Sequence, residues 1–195
     1  MQRGQFACAS YPGRSVYMSS DQTDIRKQVV DSQGLLKKIQ LVVPGFRGYR
    51  QLEDLRAADE LLRRQVALIL QKGISSLRDT RRTVVDKGDY SSLEPVASLI
   101  SRLQQLEGEV EHAEQGYSGI SPMIRVGQDT LNSLYDYDFA FVDTASKLTD
   151  SCNALSSAAG HSALGGNIDD IDSKITDFKN AFENRMRVVE KIQIK

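Results

Sequence analysis

Between Leu131 and Leu155 one residue class recurs at spacings of three and four without a slip. The positions are Leu131, Leu134, Asp138, Phe141, Ala145, Leu148, Cys152 and Leu155, and all but Asp138 are apolar or a thiol. A three–four alternation held over several turns is the seam of a helix that packs along another helix. A helix cannot bury such a seam against itself, so the rest of the chain must supply partners. Ile168, Ile171, Ile175, Phe178, Phe182, Met186, Val189 and Ile192 form a second stripe. Leu55, Leu62 and Ile69, and then Leu70, Leu77 and Val84, form two rows spaced by seven. Val96, Ile100, Leu103, Leu106 and Val110 form another. Each is a broad core-facing face at helical period, and no strand alternation competes with them.

These patterns predict an all-α fold, an antiparallel bundle of four long helices with an additional short N-terminal helix. The short helix is expected over 23–40. The second runs from Gln51 to Asp86, weakened at Gly73 by a possible kink and closed by Gly88 as a C-terminal cap. The third opens at Ser92 as N-cap with Pro95 in its first turn. The fifth opens at Asn167 as N-cap, with Asp169 and Asp170 favourable to the helix dipole and Arg185, Arg187, Lys191 and Lys195 favourable at its far end. Residues 1–20 carry no periodicity and are expected to be disordered, and Met18 leaves open whether residues 1–17 belong to the natural chain. Residues 21–195 are expected to form one bundle domain, with a flexible Gly/Ser/Ala-rich link at 158–167.

Composition narrows function mainly by exclusion. A chain of 195 residues buries a core without metals or disulfides. The formal net charge of −1 advertises neither nucleic acid nor a membrane surface. No run of about 18 apolar residues predicts an integral membrane span, and no signal-peptide pattern is present. Cys8 and Cys152 make neither a disulfide framework nor a zinc spacing, and together these features point to the cytoplasm.

Four features are candidate sites. The stretch "VVPGFRGYR" joins Pro44, Gly45 and Gly48 to Phe46, Tyr49, Arg47 and Arg50. It reads as a corner with its aromatics on the core, or as a small-anion or partner site with Phe46, Arg47, Tyr49 and Arg50 beside a helix N-terminus. Asp138, a carboxylate in a core seam, needs a partner, and Arg56 or Arg63 of the second helix is the expected one. Asp59 and Tyr135 are expected in the same polar cluster. One Glu-x-x-His, Glu109 to His112, is half of a di-iron motif whose other half is missing; it reads as solvated surface, so no metal is expected. "RDTRR" at 78–82 reads as a solvated basic face able to touch acidic surfaces. No nucleophile–base set or nucleotide fingerprint is present, so neither catalysis nor a cofactor is expected.

The motifs Pro44-Gly45-Phe46-x-Gly48-Tyr49, then Arg56, Ala58, Asp59, Leu61, Leu62 and Arg63, then Tyr117 and Gly119, then Leu134, Tyr135, Tyr137 and Asp138 make residues 41–145 resemble a family of small, uncharacterised helical prokaryotic proteins. The resemblance implies no activity. It implies that the loop at 44–49, the aperiodic glycine–aromatic segment at 116–127, Arg56, Asp59 and Asp138 belong together at one end of the bundle. The expected function is a non-enzymatic adaptor or scaffold acting through helix faces, with a protein partner or self-association. A small-anion-binding bundle and a peripheral membrane stress protein are the alternatives.

Overall fold

The computed structural model describes residues 34–47, 52–113, 128–159 and 164–194, with the side chains of 52–56, 128–131 and 190–194 left aside. The opening segment, most of the expected first helix, Gly48, Tyr49 and Arg50, and the 114–127 connection lie outside them. Every regular element among the described residues is a helix: α1 over 34–42, α2 Leu52–Lys87, α3 Tyr90–His112, α4 Gln128–Ala158 and α5 Gly165–Ile194. The four long helices form the expected bundle, and the short α1 adds to it.

The chain reverses between α2 and α3 through a two-residue turn whose chemistry is visible in the sequence. Gly88 has φ 71°, its N–H reaches Val85 O at 3.0 Å, and the Asp89 N–H reaches Val84 O at 3.1 Å. This pair of reversed bonds is a Schellman ending, and it needs the left-handed residue that glycine supplies. Asp89 follows immediately, so it occupies the N-cap position of α3, and Ser92 is already inside the helix. Pro95 consequently stands in the second turn. The Ser91 and Ser92 hydroxyls donate to the Asp89 carboxylate at 2.5 and 2.6 Å, which holds that carboxyl below its ordinary range.

Two antiparallel hairpins result, α2–α3 and α4–α5, and they lie side by side with α2 running in the same direction as α4. The pairs Ile69 with Thr149 and Ser76 with Asn153 rise together along both helices. Every described member of the α4 seam, Asp138 included, has zero exposure. The opposing wall comes from Leu62, Val66, Leu70 and Leu77 of α2, Leu103 and Val110 of α3, and Ile171 and Phe178 of α5. Phe141 stacks on both Phe178 and Phe182, with centroids 5.4 Å apart in each pair.

Two boundaries differ from the sequence expectation, and α2 does not: it runs through Gly73 for 36 residues as the single helix expected, about 54 Å at ~1.5 Å per residue. Gly73 is a point of close approach: a Cβ there would lie 3.3 Å from Thr149 Oγ1, 3.4 Å from Leu103 Cδ2 and 3.5 Å from Cys152 Sγ. The helices α4 and α5 take both ends of the expected 158–167 link, since α4 runs through Ala158 and α5 starts at Gly165. Leu164, 3% exposed, accepts the first turn's hydrogen bond from Ile168 N–H, so burial of an apolar residue sets the start of α5 rather than the Asn167 side chain.

Gly108 is the contrasting glycine. It lies inside α3 with nothing within 4 Å of a built Cβ. Gly108→Ala should therefore raise stability by about 0.5–1 kcal/mol through helix propensity and a less free unfolded chain, measurable as a higher urea midpoint at unchanged slope.

Candidate functional site

The buried charges of the described interior converge at the end of the bundle where α2 and α4 begin and α3 and α5 finish. Asp59 and Arg63 stand one turn apart on α2 and pair directly, Arg63 Nε to Asp59 Oδ2 at 2.9 Å. The Arg63 Nη1 donates onward to the carbonyls of Val110, Glu111 and Ala113 at 3.4, 3.2 and 3.1 Å. Those carbonyls belong to the last turn of α3, where no intrahelical donor remains. Arg63 therefore caps the neighbouring helix and complements its negative end.

From α5, Arg185 reaches across both hairpins. Its Nε donates to Asp138 Oδ1 at 2.7 Å, and its Nη1 lies 2.6 Å from Asp59 Oδ1. The first contact is an aligned hydrogen bond, and the second is an ion pair of looser angle. The guanidinium also lies 5.7 Å from the Phe141 ring centroid. Arg185 and Asp138 have zero exposure, Asp59 3% and Arg63 5%. Two carboxylates and two guanidinium groups thus form a line from Asp138 through Arg185 and Asp59 to Arg63, ending on the α3 carbonyls. All four long helices contribute to it. Charges taken out of water at this depth persist only when paired and hydrogen-bonded.

The sequence brings Asp59, Arg63 and Asp138 to notice but does not offer Arg185 as a partner of Asp138. Asp138 is held by Arg185, whereas Arg63 turns to Asp59 and the α3 end. Because α2 and α4 run in the same direction, Asp59 and Asp138 sit at one level and a guanidinium between them serves both. The Arg56 side chain lies outside the described residues. Tyr135 is half-buried and packs against the core. By position alone Arg185 reads as one of the basic residues favoured at a helix C-terminus. The signal that finds it is spacing: Ile171, Ile175, Phe178, Phe182, Arg185 and Val189 follow the same three–four alternation as the α4 seam. Met186, placed on the stripe by the sequence, is only partly buried.

The "PGF" stretch is a corner over its described part. Val43 O accepts the Phe46 N–H at 3.2 Å, closing a turn with Pro44 second and Gly45, φ 86°, third. That is the residue order of a type II turn. The Gln40 side-chain amide donates to Phe46 O at 2.9 Å, and Phe46 is 2% exposed in the core cluster with Ile39 and Val43. A Cβ on Gly45 would stand 3.9 Å from Leu61, and Lys38 Nζ lies 5.1 Å from the Phe139 centroid. These contacts set α1 and its turn over α2 and α4 close to the charge network. Arg47 is exposed, while Tyr49 and Arg50 fall outside the described residues.

Of the remaining candidates, His112 adjoins this cluster and Cys152 lies farther along the bundle. His112 is exposed and lines an open cleft of ≈ 360 Å³ with Glu60, Arg63, Arg64, Glu111 and Ala113. Among the described residues no three His, Cys, Asp or Glu side chains gather in a metal-holding arrangement. Cys152 is buried between helices, and burial pushes its thiol up to about 12. At pH 8 almost none of it is thiolate, the reactive form. In a Cys8→Ser background the native protein should therefore leave a thiol reagent unreacted for as long as it stays folded, and consume one equivalent on unfolding in urea.

No helix among the described residues is long and apolar enough to cross a membrane. No protein-family model, curated protein or solved structure matches this chain, so what the site can do rests on its own geometry.

Proposed function

We propose that the protein is a non-enzymatic cytoplasmic adaptor or scaffold that works by contact through outward helix faces. The observation that carries this reading is how the charged residues divide between interior and surface. Inside, Asp59, Arg63, Asp138 and Arg185 are spent on one another and on the α3 end. Outside, the second half of α2 presents Arg78, Arg81 and Arg82 with Val85 and Asp86 around an open cleft of ≈ 460 Å³. Arg82 pairs with Asp79, whereas Arg78 and Arg81 make no ion pair among the described residues. Val85 is 46% exposed and the nearby Tyr90 72%. Uncommitted arginines around an apolar residue and an aromatic are the composition of a contact surface. The interleaved Asp79 and Asp86 favour an acidic protein partner over a polyanion such as nucleic acid or a lipid surface.

Affinity capture of the full chain at low salt, with proteins and small molecules both identified, tests the proposal. The expected result is a reproducible protein partner or self-oligomer that Arg78→Glu with Arg81→Glu abolishes, at a change in stability within about 0.5 kcal/mol, as for surface sites generally. Capture unaffected by that variant would move the contact to another face. A copurifying anion with no protein would overturn the reading.

A further inference from the structure

The charge network carries a conclusion about how the two hairpins find one another. Each hairpin holds a neutral pair of its own: Asp59 with Arg63 on the α2–α3 side, Asp138 with Arg185 on the α4–α5 side. Arg185 Nη1 and Asp59 Oδ1 then meet across the boundary at 2.6 Å. Apart from the Thr149–Ile69 and Ser76–Asn153 hydrogen bonds between α2 and α4 and the partly exposed Arg102–Asp172 ion pair between α3 and α5, that boundary is made of seams of Leu, Ile, Val and Phe at three–four spacing. Such seams tolerate sliding by whole heptads, because one apolar residue replaces another. Hydrophobic burial by itself therefore specifies association more strongly than it specifies register.

We propose that the Asp59–Arg185–Asp138 cluster is a docking key that selects one register of the α4–α5 hairpin on the α2–α3 hairpin. Sliding by one heptad, about 10 Å at ~1.5 Å per residue, would carry Arg185 from the level of Asp59 to that of Val66. The opposite slide would set Asp59 at the level of Phe178. Both Val66 and Phe178 are fully buried, so Arg185 Nη1 and Asp59 Oδ1 would face apolar side chains in place of one another, while Arg185 kept Asp138 and Asp59 kept Arg63 within their own hairpins. The penalty falls on the wrong registers, and the native register avoids it. This is the best-attested use of a buried polar group in helical assemblies. It also explains why charges are kept at seam positions where Leu or Met would bury more apolar surface. The Thr149 hydroxyl seated on Ile69 O at 3.0 Å beside Gly73 is a second register mark farther along. It is neutral, and it leaves no stranded charge when slipped.

The test is the full chain with Asp59→Leu, Asp138→Leu and Arg185→Met together, leaving Arg63 on the α3 carbonyls. Spin labels on Ser75→Cys and Asn184→Cys, exposed sites on different hairpins, in a Cys8→Ser background report register as a distance distribution. With the key present, one narrow distance is expected. In the triple variant, helical content by circular dichroism should persist while the distribution splits into populations consistent with heptad slips. A single native distance in the triple variant would overturn the proposal, since the apolar seams would then set register unaided. Loss of helical content would overturn it equally, because the cluster would then hold the bundle together rather than choose its register.

Discussion

Arg185→Met should lower stability by about 3–5 kcal/mol, the usual result of removing one partner from a buried ion pair. For a chain of this size that corresponds to a fall in melting temperature of roughly 6–20 °C. Met fills much of the volume of the arginine stem, so lost packing is not the main cause. The loss comes from Asp138 and Asp59, 0% and 3% exposed, which would keep their burial without the guanidinium that lies 2.7 and 2.6 Å from them. Arg185→Lys should be intermediate, because an ammonium is a single point charge and cannot span two carboxylates with separate nitrogens. Adding Asp59→Asn and Asp138→Asn to Arg185→Met should recover a large part of the loss, making the three substitutions strongly non-additive. Urea unfolding of the single, double and triple variants measures this directly. A cost below about 1 kcal/mol for Arg185→Met would mean that the pair behaves as an exposed one, and the network would lose its place as the organising feature of the interior.

The part of this architecture that sequence makes legible is the part governed by local rules. The three–four seam of α4, the left-handed Gly88 closing α2, and the Pro44–Gly45 turn each depend on residues a few positions apart. Their consequences appear at those residues. The charge network depends on which helices become neighbours and in which direction they run. Asp138 declares itself as a charge in an apolar seam, but its partner lies 47 residues away on α5. Arg185 has a second, local explanation as a helix-terminal cation that conceals its seam position. The cap of α3 by Arg63, 47 to 50 residues distant, has no local signature at all. Gly73 is ambiguous for a related reason. A glycine within a helix reads equally as a weak point or as a place where another helix comes close, and only the packing of α4 on α2 decides.

That decision makes Gly73 the second site of large expected effect. In an α-helix the carbonyl of one residue is partly screened by the side chain four positions on. Gly73 stands four residues after Ile69, and Ile69 O accepts the Thr149 hydroxyl of α4 at 3.0 Å. The missing Cβ therefore opens a backbone acceptor to a donor from the adjacent helix. Gly73→Ala has two opposed consequences. Helix propensity favours alanine by about 1 kcal/mol. Against it, the new Cβ would meet Thr149 Oγ1 at 3.3 Å and Leu103 Cδ2 at 3.4 Å, and overpacking a tight core costs about 1–3 kcal/mol. The Thr149 hydroxyl is fixed by its hydrogen bond and cannot withdraw without giving it up, which adds about 1 kcal/mol. The net expectation for Gly73→Ala is a loss of about 1–3 kcal/mol by these terms, opposite in sign to Gly108→Ala in the same bundle. Gly73→Val should cost more, since its branches extend towards Leu103 and Cys152 as well. Thr149→Ala should partly rescue Gly73→Ala by vacating the space that the new methyl needs, although each substitution alone destabilises. Stabilisation by Gly73→Ala would show that α2 and α4 separate readily at this level, and the close approach would then be a consequence of packing elsewhere rather than a contact that fixes it.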